Sequence, residues 1–266
     1  MIDLHCHILP GIDDGAQSMQ EALDMCRMAE ADGITTIVAT PHYQPVSCPW
    51  AATELNERVA SLQDTLRMAG IALTILPGAE LPLFPELPGL LKNDPYLTIN
   101  RSSYFLVEFR PHAIPANAMP FLITLIKSGL VPVIAHPERC DWFARHPDFF
   151  DELLGLGALF QLTAGSILGE FGTGVQEFSL GLIRKGMIHV IASDGHNRSD
   201  RPPLLAQAVT MVADLVGTAC AEAMVTTTPA AIIANQRLQF PAREEMPLPR
   251  QTHPRTWFQR LLGASA

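Results

Sequence analysis

No apolar run in this 266-residue chain reaches the roughly 18 to 20 residues that a membrane span requires. The opening also lacks the basic-then-apolar pattern of a secretory signal, because histidines and aspartates arrive at once, so a cytoplasmic location is expected. The five cysteines (Cys6, Cys26, Cys48, Cys140, Cys220) are odd in number and hold no C-x-x-C pair, which argues against a disulfide framework or a zinc ribbon. A formal net charge of −9 argues against a nucleic-acid-binding surface. No G-x-G-x-x-G or G-x-x-x-x-G-K-[ST] loop follows any apolar run, which weighs against a nucleotide-binding sheet. Internal repeats are lacking too.

What is present is an apolar chain, 48% hydrophobic and only 17% charged, able to bury a sizeable core. The charge is uneven: residues 241–266 hold four arginines and two glutamates, a tail of +2 on a body of −11. Short β-branched runs lie at 2–5, 35–40, 72–78, 104–109, 131–136, 158–163 and 189–193. Between them the apolar period is helical. Ser18 and Glu21 form a capping-box pattern opening a helix to about Ala31, and Leu55, Val59, Leu62 and Leu66 line one face of the next. Further helices are expected near 117–128, 146–155, 175–185, 203–216 and 229–237. Seven strands, each followed by a helix, predict parallel strands joined by crossovers. The expected fold is α/β: a closed or nearly closed, TIM-like (β/α)7 barrel, with an open doubly wound sheet as the alternative. It would occupy residues 1–240. Residues 241–266 read as a Pro/Arg-containing tail, either disordered or docking on an acidic segment or a membrane surface.

Side chains suited to metal binding fall at the ends of these strands. His5 and His7 close the first, and their i, i+2 spacing puts both on one strand face. His42 follows the second in ATPHY, Glu80 the third in GAEL, and Glu108 ends the fourth in LVEF. His136 ends the fifth in IAHPER, and Asp194 and His196 follow the seventh in ASDGHN. Six of seven strands thus deliver His, Asp or Glu at the C-terminal end, where barrel sites are assembled. The set exceeds what one zinc takes, and mixed imidazole and carboxylate donors suit manganese, iron or zinc alike. The adjacent aspartates Asp13 and Asp14 in IDDG cannot be told apart by spacing. Arg139, in HPER, and Arg201, in SDGHNRSDR, offer planar forks that match phosphate oxygens. His112, His146, His189 and His253 lack strand-end placement and read as structural. QLTAGSILGEFG, after the sixth strand, supplies no evident ligand.

MIDLHCHILPGIDDGAQ, ATPHY, GAEL, LVEF, VIAHPER, QLTAGSILG and ASDGHN, in this order over most of residues 1–235, resemble the PHP (polymerase and histidinol phosphatase) superfamily. Within it they resemble the metal-dependent protein-tyrosine phosphatases of bacterial capsule and exopolysaccharide gene clusters. The resemblance implies a distorted (β/α)7 barrel with two to three divalent ions, manganese first and iron or zinc as alternatives. It implies His5, His7, Asp14, His42, Glu80, Glu108, His136, Asp194 and His196 as ligands, with Arg139 and Arg201 holding phosphate. The substrate it implies is the phosphotyrosine tail of a membrane-associated tyrosine autokinase. His42 and His196 are also candidates for protonating the leaving group.

Other chemistries are compatible with parts of this pattern. Cysteine-dependent phosphatase chemistry needs C-x5-R; no cysteine has an arginine six positions later, and Cys140 with Arg145 misses by one. A small-molecule phosphatase such as a histidinol-phosphate phosphatase shares the donor pattern, an amidohydrolase shares H-x-H, and a metal-stabilised binding protein needs no turnover at all. The sequence sets no oligomeric state, and a homo-oligomer is compatible with it.

Overall fold

A computed structural model describes residues 1–43, 50, 52–109 and 117–238. The tail at 241–266, most of the segment 43–50, His112 and His253 lie outside the described residues. Among the described residues, eight parallel strand segments form two sheets. The first holds β1 (Ile2–Cys6), β2 (Thr36–Ala39) and β3 (Thr74–Pro77) in that order. The second holds β4 (Glu80–Pro82), β5 (Tyr104–Glu108), β6 (Val131–Ala135), β7 (Leu159–Thr163) and β8 (Val190–Ala192), again in chain order. The expectation of parallel strands in sequence order therefore matches, with one difference. The apolar run at 72–78 yields β3 alone, and Glu80 opens a separate strand instead of trailing the third.

The break has a local cause. Pro77 brings no N–H to a ladder, and a Cβ on Gly78 would lie 2.7 Å from Val38 Cγ1, so the chain presses against β2 there and turns. The sheets meet at two seams. His42 pairs with Glu80 through Tyr43 N→Glu80 O (2.9 Å) and Glu80 N→Pro41 O (3.1 Å). Cys6 pairs with Gly195 beyond β8, with Asp194 N→His5 O and His7 N→Gly195 O both at 2.8 Å.

The helices are α1 (Met19–Ala31), α2 (Ala52–Met68), α3 (Leu87–Asn93), α4 (Ala118–Lys127), α5 (Asp141–Arg145), α6 (Pro147–Gly155), α7 (Ala164–Leu168), α8 (Thr173–Arg184), α9 (Ala206–Val216), α10 (Thr218–Ala223) and α11 (Thr227–Ile233). Ser18 caps α1 by accepting from Glu21 N at 3.2 Å, while the Glu21 carboxylate accepts from Gln17 N at 3.0 Å. The reciprocal bond thus falls one residue before the cap. The short helices α3, α5, α7 and α10 escape a reading by periodicity because none spans two full turns.

Two apolar clusters fill the fold. The larger joins the helices to one set of strand faces; the smaller contains Leu4, Val38, Leu106, Val133, Leu159 and Val190. Leu106 lies two residues before Glu108, and Leu159 two before Gln161. On β5 and β7 the strand faces that pack the smaller cluster therefore end in polar side chains at their C-terminal ends. There the site is built.

Candidate metal centre

The first strand delivers Asp3, His5 and His7, all buried. His5 Nδ1 lies 3.0 Å from Gln161 Oε1 on β7, and His7 Nδ1 lies 2.6 Å from Asp13 Oδ2. Both acceptors draw the ring proton to Nδ1, which turns the Nε2 lone pairs inward, and those two atoms are 3.2 Å apart. Lone pairs face each other stably at that distance only when a cation or a second proton sits between or beside them.

Glu80 is the hub. His136 Nε2 is 2.8 Å from its Oε1, while His42 Nδ1 (3.0 Å), His5 Nε2 (3.3 Å) and His7 Nε2 (3.3 Å) surround Oε2. Despite these neighbours, Glu80 Oε2 and His42 Nδ1 meet no partner in hydrogen-bond geometry among the described residues. A buried carboxylate oxygen facing three imidazole nitrogens without a directed bond fits a cation ligand. Glu108 Oε1 stands 3.5 Å from His42 Nδ1, and Trp50 Nε1 holds the His42 carbonyl at 2.9 Å.

The IDDG strap separates the two aspartates. Asp13 is turned in: its Oδ2 accepts from His42 N at 2.9 Å as well as meeting His7, and its Oδ1 accepts from Gly15 N at 3.0 Å. Asp14 projects outward, its Oδ1 3.7 Å from His42 Nε2 and 3.6 Å from His196 Nε2. The strap runs this close because position 15 is glycine: a Cβ there would lie 2.0 Å from the His7 carbonyl oxygen.

His136 and Asp194 both leave their strands in the left-handed region, with φ of 31° and 52°. That conformation is uncommon for non-glycine residues and is concentrated at functional sites. Asp194 divides its oxygens. Oδ1 faces His5 Nε2 (3.4 Å) and His7 Nε2 (3.5 Å), while Oδ2 accepts from both Arg139 and Arg201. Asp3 ties this turn down: its Oδ1 accepts from His5 N (3.2 Å) and Ser193 N (3.0 Å). Arg201 is folded back by Asn197, whose Oδ1 accepts from Ser199 N, Asp200 N and Arg201 N.

The charge state follows from this crowding. Burial alone would raise Glu80 and Asp194, but the surrounding imidazoles hold both well below the ordinary carboxylate range. Burial opposes charge on His42, yet Glu108 and Glu80 push it up to about 10. His196 is pushed down to about 3 by burial and the neighbouring His7. The carboxylates thus create a strong demand for positive charge, which protons or divalent cations can meet.

All nine side chains expected as ligands come together here, in groups of three or four whose donor atoms lie within 4.8 Å of one another: His7, Asp14, His42, His196; His5, His7, Glu80; His5, His136, Asp194; and His42, Glu80, Glu108. Glu80 and three of the histidines belong to more than one group, as neighbouring ions sharing ligands would require. Arg139 and Arg201 stand beside them. Of the histidines read as structural, His189 accepts from Phe160 N at 3.0 Å and His146 stacks on Trp142 at 4.0 Å, both away from the centre. Sequence reasoning missed Gln161, Asp3 and Asp13 as supports. A glutamine inside ALFQLT and the Asp3–His5–His7 alternation were the available signals.

Known proteins resemble this chain over most of its length. YwqE of Bacillus subtilis, a tyrosine-protein phosphatase, is 38% identical over 208 residues, covering 76% of this chain and 79% of the relative. CpsB of Streptococcus pneumoniae, also a tyrosine-protein phosphatase, is 28% identical over 241 residues, covering 89% and 99%. A chain from the crystal structures of these two proteins, described as unique metal-dependent tyrosine phosphatases, superposes with a TM-score of 0.85 at 35% identity, covering 90% of this chain and 96% of that one. Residues 1–234 match the profile of the family described as capsular polysaccharide synthesis, CpsB/CapC, and the chain belongs to that family.

Proposed function

We propose that the chain is a metal-dependent protein-tyrosine phosphatase of capsule or exopolysaccharide synthesis, acting on the phosphotyrosine tail of a tyrosine autokinase. Its main support is the convergence of four imidazoles on the buried Glu80 carboxylate beside two arginines. The relatives' activity and family point the same way. Two to three divalent ions would be held by His5, His7, Asp14, His42, Glu80, Glu108, His136, Asp194 and His196. Manganese is the first choice, with iron or zinc as alternatives, because oxygen-rich mixed donors suit all three. The catalytic unit is a distorted barrel over residues 1–240, its third strand broken in two, and the two seams between the sheets support that closure. A cytoplasmic location accords with a membrane-associated kinase tail as substrate, and among the described residues no helix is long and apolar enough to cross a membrane.

When bound, such ions supply Lewis acidity toward a phosphoryl oxygen and lower the pKa of an attacking water. The chain's residues do the rest. Asp13 and Gln161 fix the tautomers of His7 and His5, so that Nε2 of each presents a lone pair. Arg139 and Arg201 each direct one N–H to Asp194 Oδ2, and their side chains remain 27% and 25% exposed. Donors of these forks not taken by Asp194 would match the equatorial oxygens of a phosphoryl group and offset charge as it develops there. A phenol of pKa about 10 leaves without a strong acid, so His42 and His196 are needed here chiefly as metal donors.

Parallel kinetics on a phosphotyrosyl peptide and on histidinol phosphate test the assignment. A kcat/KM higher on the peptide is expected; the reverse order would reassign the chain to small-molecule phosphatases.

A further inference from the structure

The segment QLTAGSILGEFG gave no ligand in the sequence, and the structure gives it another use. Its first part completes β7 and forms α7; its last four residues, 169–172, make a turn that starts and ends on glycine. Gly169 and Gly172 have φ of 90° and 95°, which side-chain-bearing residues adopt only with strain. Between them the turn presents Phe171. The turn is folded tightly onto α7, where Glu170 N donates to Gly165 O at 2.9 Å. A Cβ on Gly165 would lie 2.2 Å from Glu170 Oε2 and 3.2 Å from Phe171 Cε2, so both side chains of the turn pack directly over this glycine.

Phe171 is half-buried, and both arginines lie over its ring. Arg139 Cζ is 4.7 Å from the ring centroid and Arg201 Cζ is 5.9 Å. Both distances are within the range at which a ring quadrupole attracts a cation. The same two guanidiniums are joined at their tips by Asp194 Oδ2. They are therefore held from two sides, by a carboxylate at their tips and by an aromatic ring beneath both Cζ atoms. Arg201 Nε is buried and meets no acceptor among the described residues, so the fork is not saturated by the protein.

We infer that Phe171 is a positioning residue for phosphate recognition: its ring holds Arg139 and Arg201 as a preorganised pair whose free donors face the phosphoryl oxygens. The inference rests on the reading of these arginines as the phosphate holders. Two like charges brought onto one carboxylate oxygen repel each other, and the π face offsets part of that repulsion without adding an acceptor that would compete with phosphate. A leucine there would keep the apolar contact and lose the quadrupole; a tyrosine would keep both.

The test compares metal-loaded wild type, Phe171→Leu, Phe171→Tyr and Arg139→Ala. It measures metal content, far-UV circular dichroism, KM and kcat on a phosphotyrosyl peptide, and competitive inhibition by inorganic phosphate. Phe171→Leu is expected to raise KM and the phosphate inhibition constant about five- to twentyfold at unchanged metal content, with Phe171→Tyr near wild type. If Phe171→Leu leaves both constants within about twofold of wild type while Arg139→Ala raises them, the platform role is wrong and the arginine reading stands. If Arg139→Ala changes neither constant, the arginine reading fails and the inference fails with it. If Phe171→Leu loses metal or helical signal, Phe171→Tyr decides: a loss of phosphate binding in a folded, metal-loaded Tyr variant overturns the inference.

Discussion

The Nε2 atoms of His5 and His7 lie 3.2 Å apart, each turned inward because the other nitrogen of its ring is held by Gln161 or Asp13. Two imidazoles arranged this way, with Glu80 Oε2 at 3.3 Å from both, form a candidate cation site in which the polarity of each ring has been set from behind. The donors are preorganised, and the supports that preorganise them sit apart in the chain, Gln161 on β7 and Asp13 on the strap after β1.

Glu80 is the single residue on which most of these contacts depend. Glu80→Gln turns the carboxylate into a neutral amide and removes its negative charge from among four imidazoles. Activity should fall by more than about a hundredfold, with fewer ions retained per chain. Turnover and elemental analysis of the same sample check this.

The two strap aspartates should separate by phenotype. Asp14→Asn removes an oxygen facing His42 and His196, and is expected to lower the number of ions bound. Asp13→Asn leaves the donors in place but loosens His7, so it should keep the number and weaken the affinity about 10- to 100-fold. Metal titration of each variant distinguishes the two.

How far these features were legible differs from residue to residue. The strand-end donors could be read directly, because a histidine or glutamate closing a β-branched run stands out against an apolar background. The break between β3 and β4 could not be read. It depends on Gly78 meeting Val38, a contact between residues 40 apart in the chain. Asp13 and Asp14 have identical side chains in adjacent positions, and what separates them is the approach of Gly15 to the His7 carbonyl. Asp3 and Gln161 were hidden for a related reason: each looks like an isolated polar residue until the opposite strand supplies its partner.

Cys140 lies beside Arg139 and is buried, and burial pushes its thiol up, away from the thiolate needed for nucleophilic catalysis. Cys140→Ser should therefore retain at least about half of wild-type kcat/KM. A collapse of activity with metal content intact would favour thiol chemistry.

Asp3 predicts a pH signature in stability. Burial outweighs the hydrogen bonds from Ser193 and His5 and pushes its carboxyl up to about 6, from 3.8. Between those values the folded chain keeps a proton that the unfolded chain releases. The contribution of this group to stability is thus present below about pH 4 and is lost as pH rises through 6. Wild type should lose up to about 3 kcal/mol relative to Asp3→Asn across that interval. Urea unfolding of the two metal-free proteins from pH 4 to 6.5 checks the sign.

The most direct measurement is elemental analysis of the purified protein alongside turnover of a phosphotyrosyl peptide, before chelation, after it, and after separate addition of Mn²⁺, Zn²⁺ and Fe²⁺. The account predicts two to three ions per chain, loss of turnover on chelation, and recovery with at least one of the added metals. Full turnover by a chelated protein free of metal would contradict it.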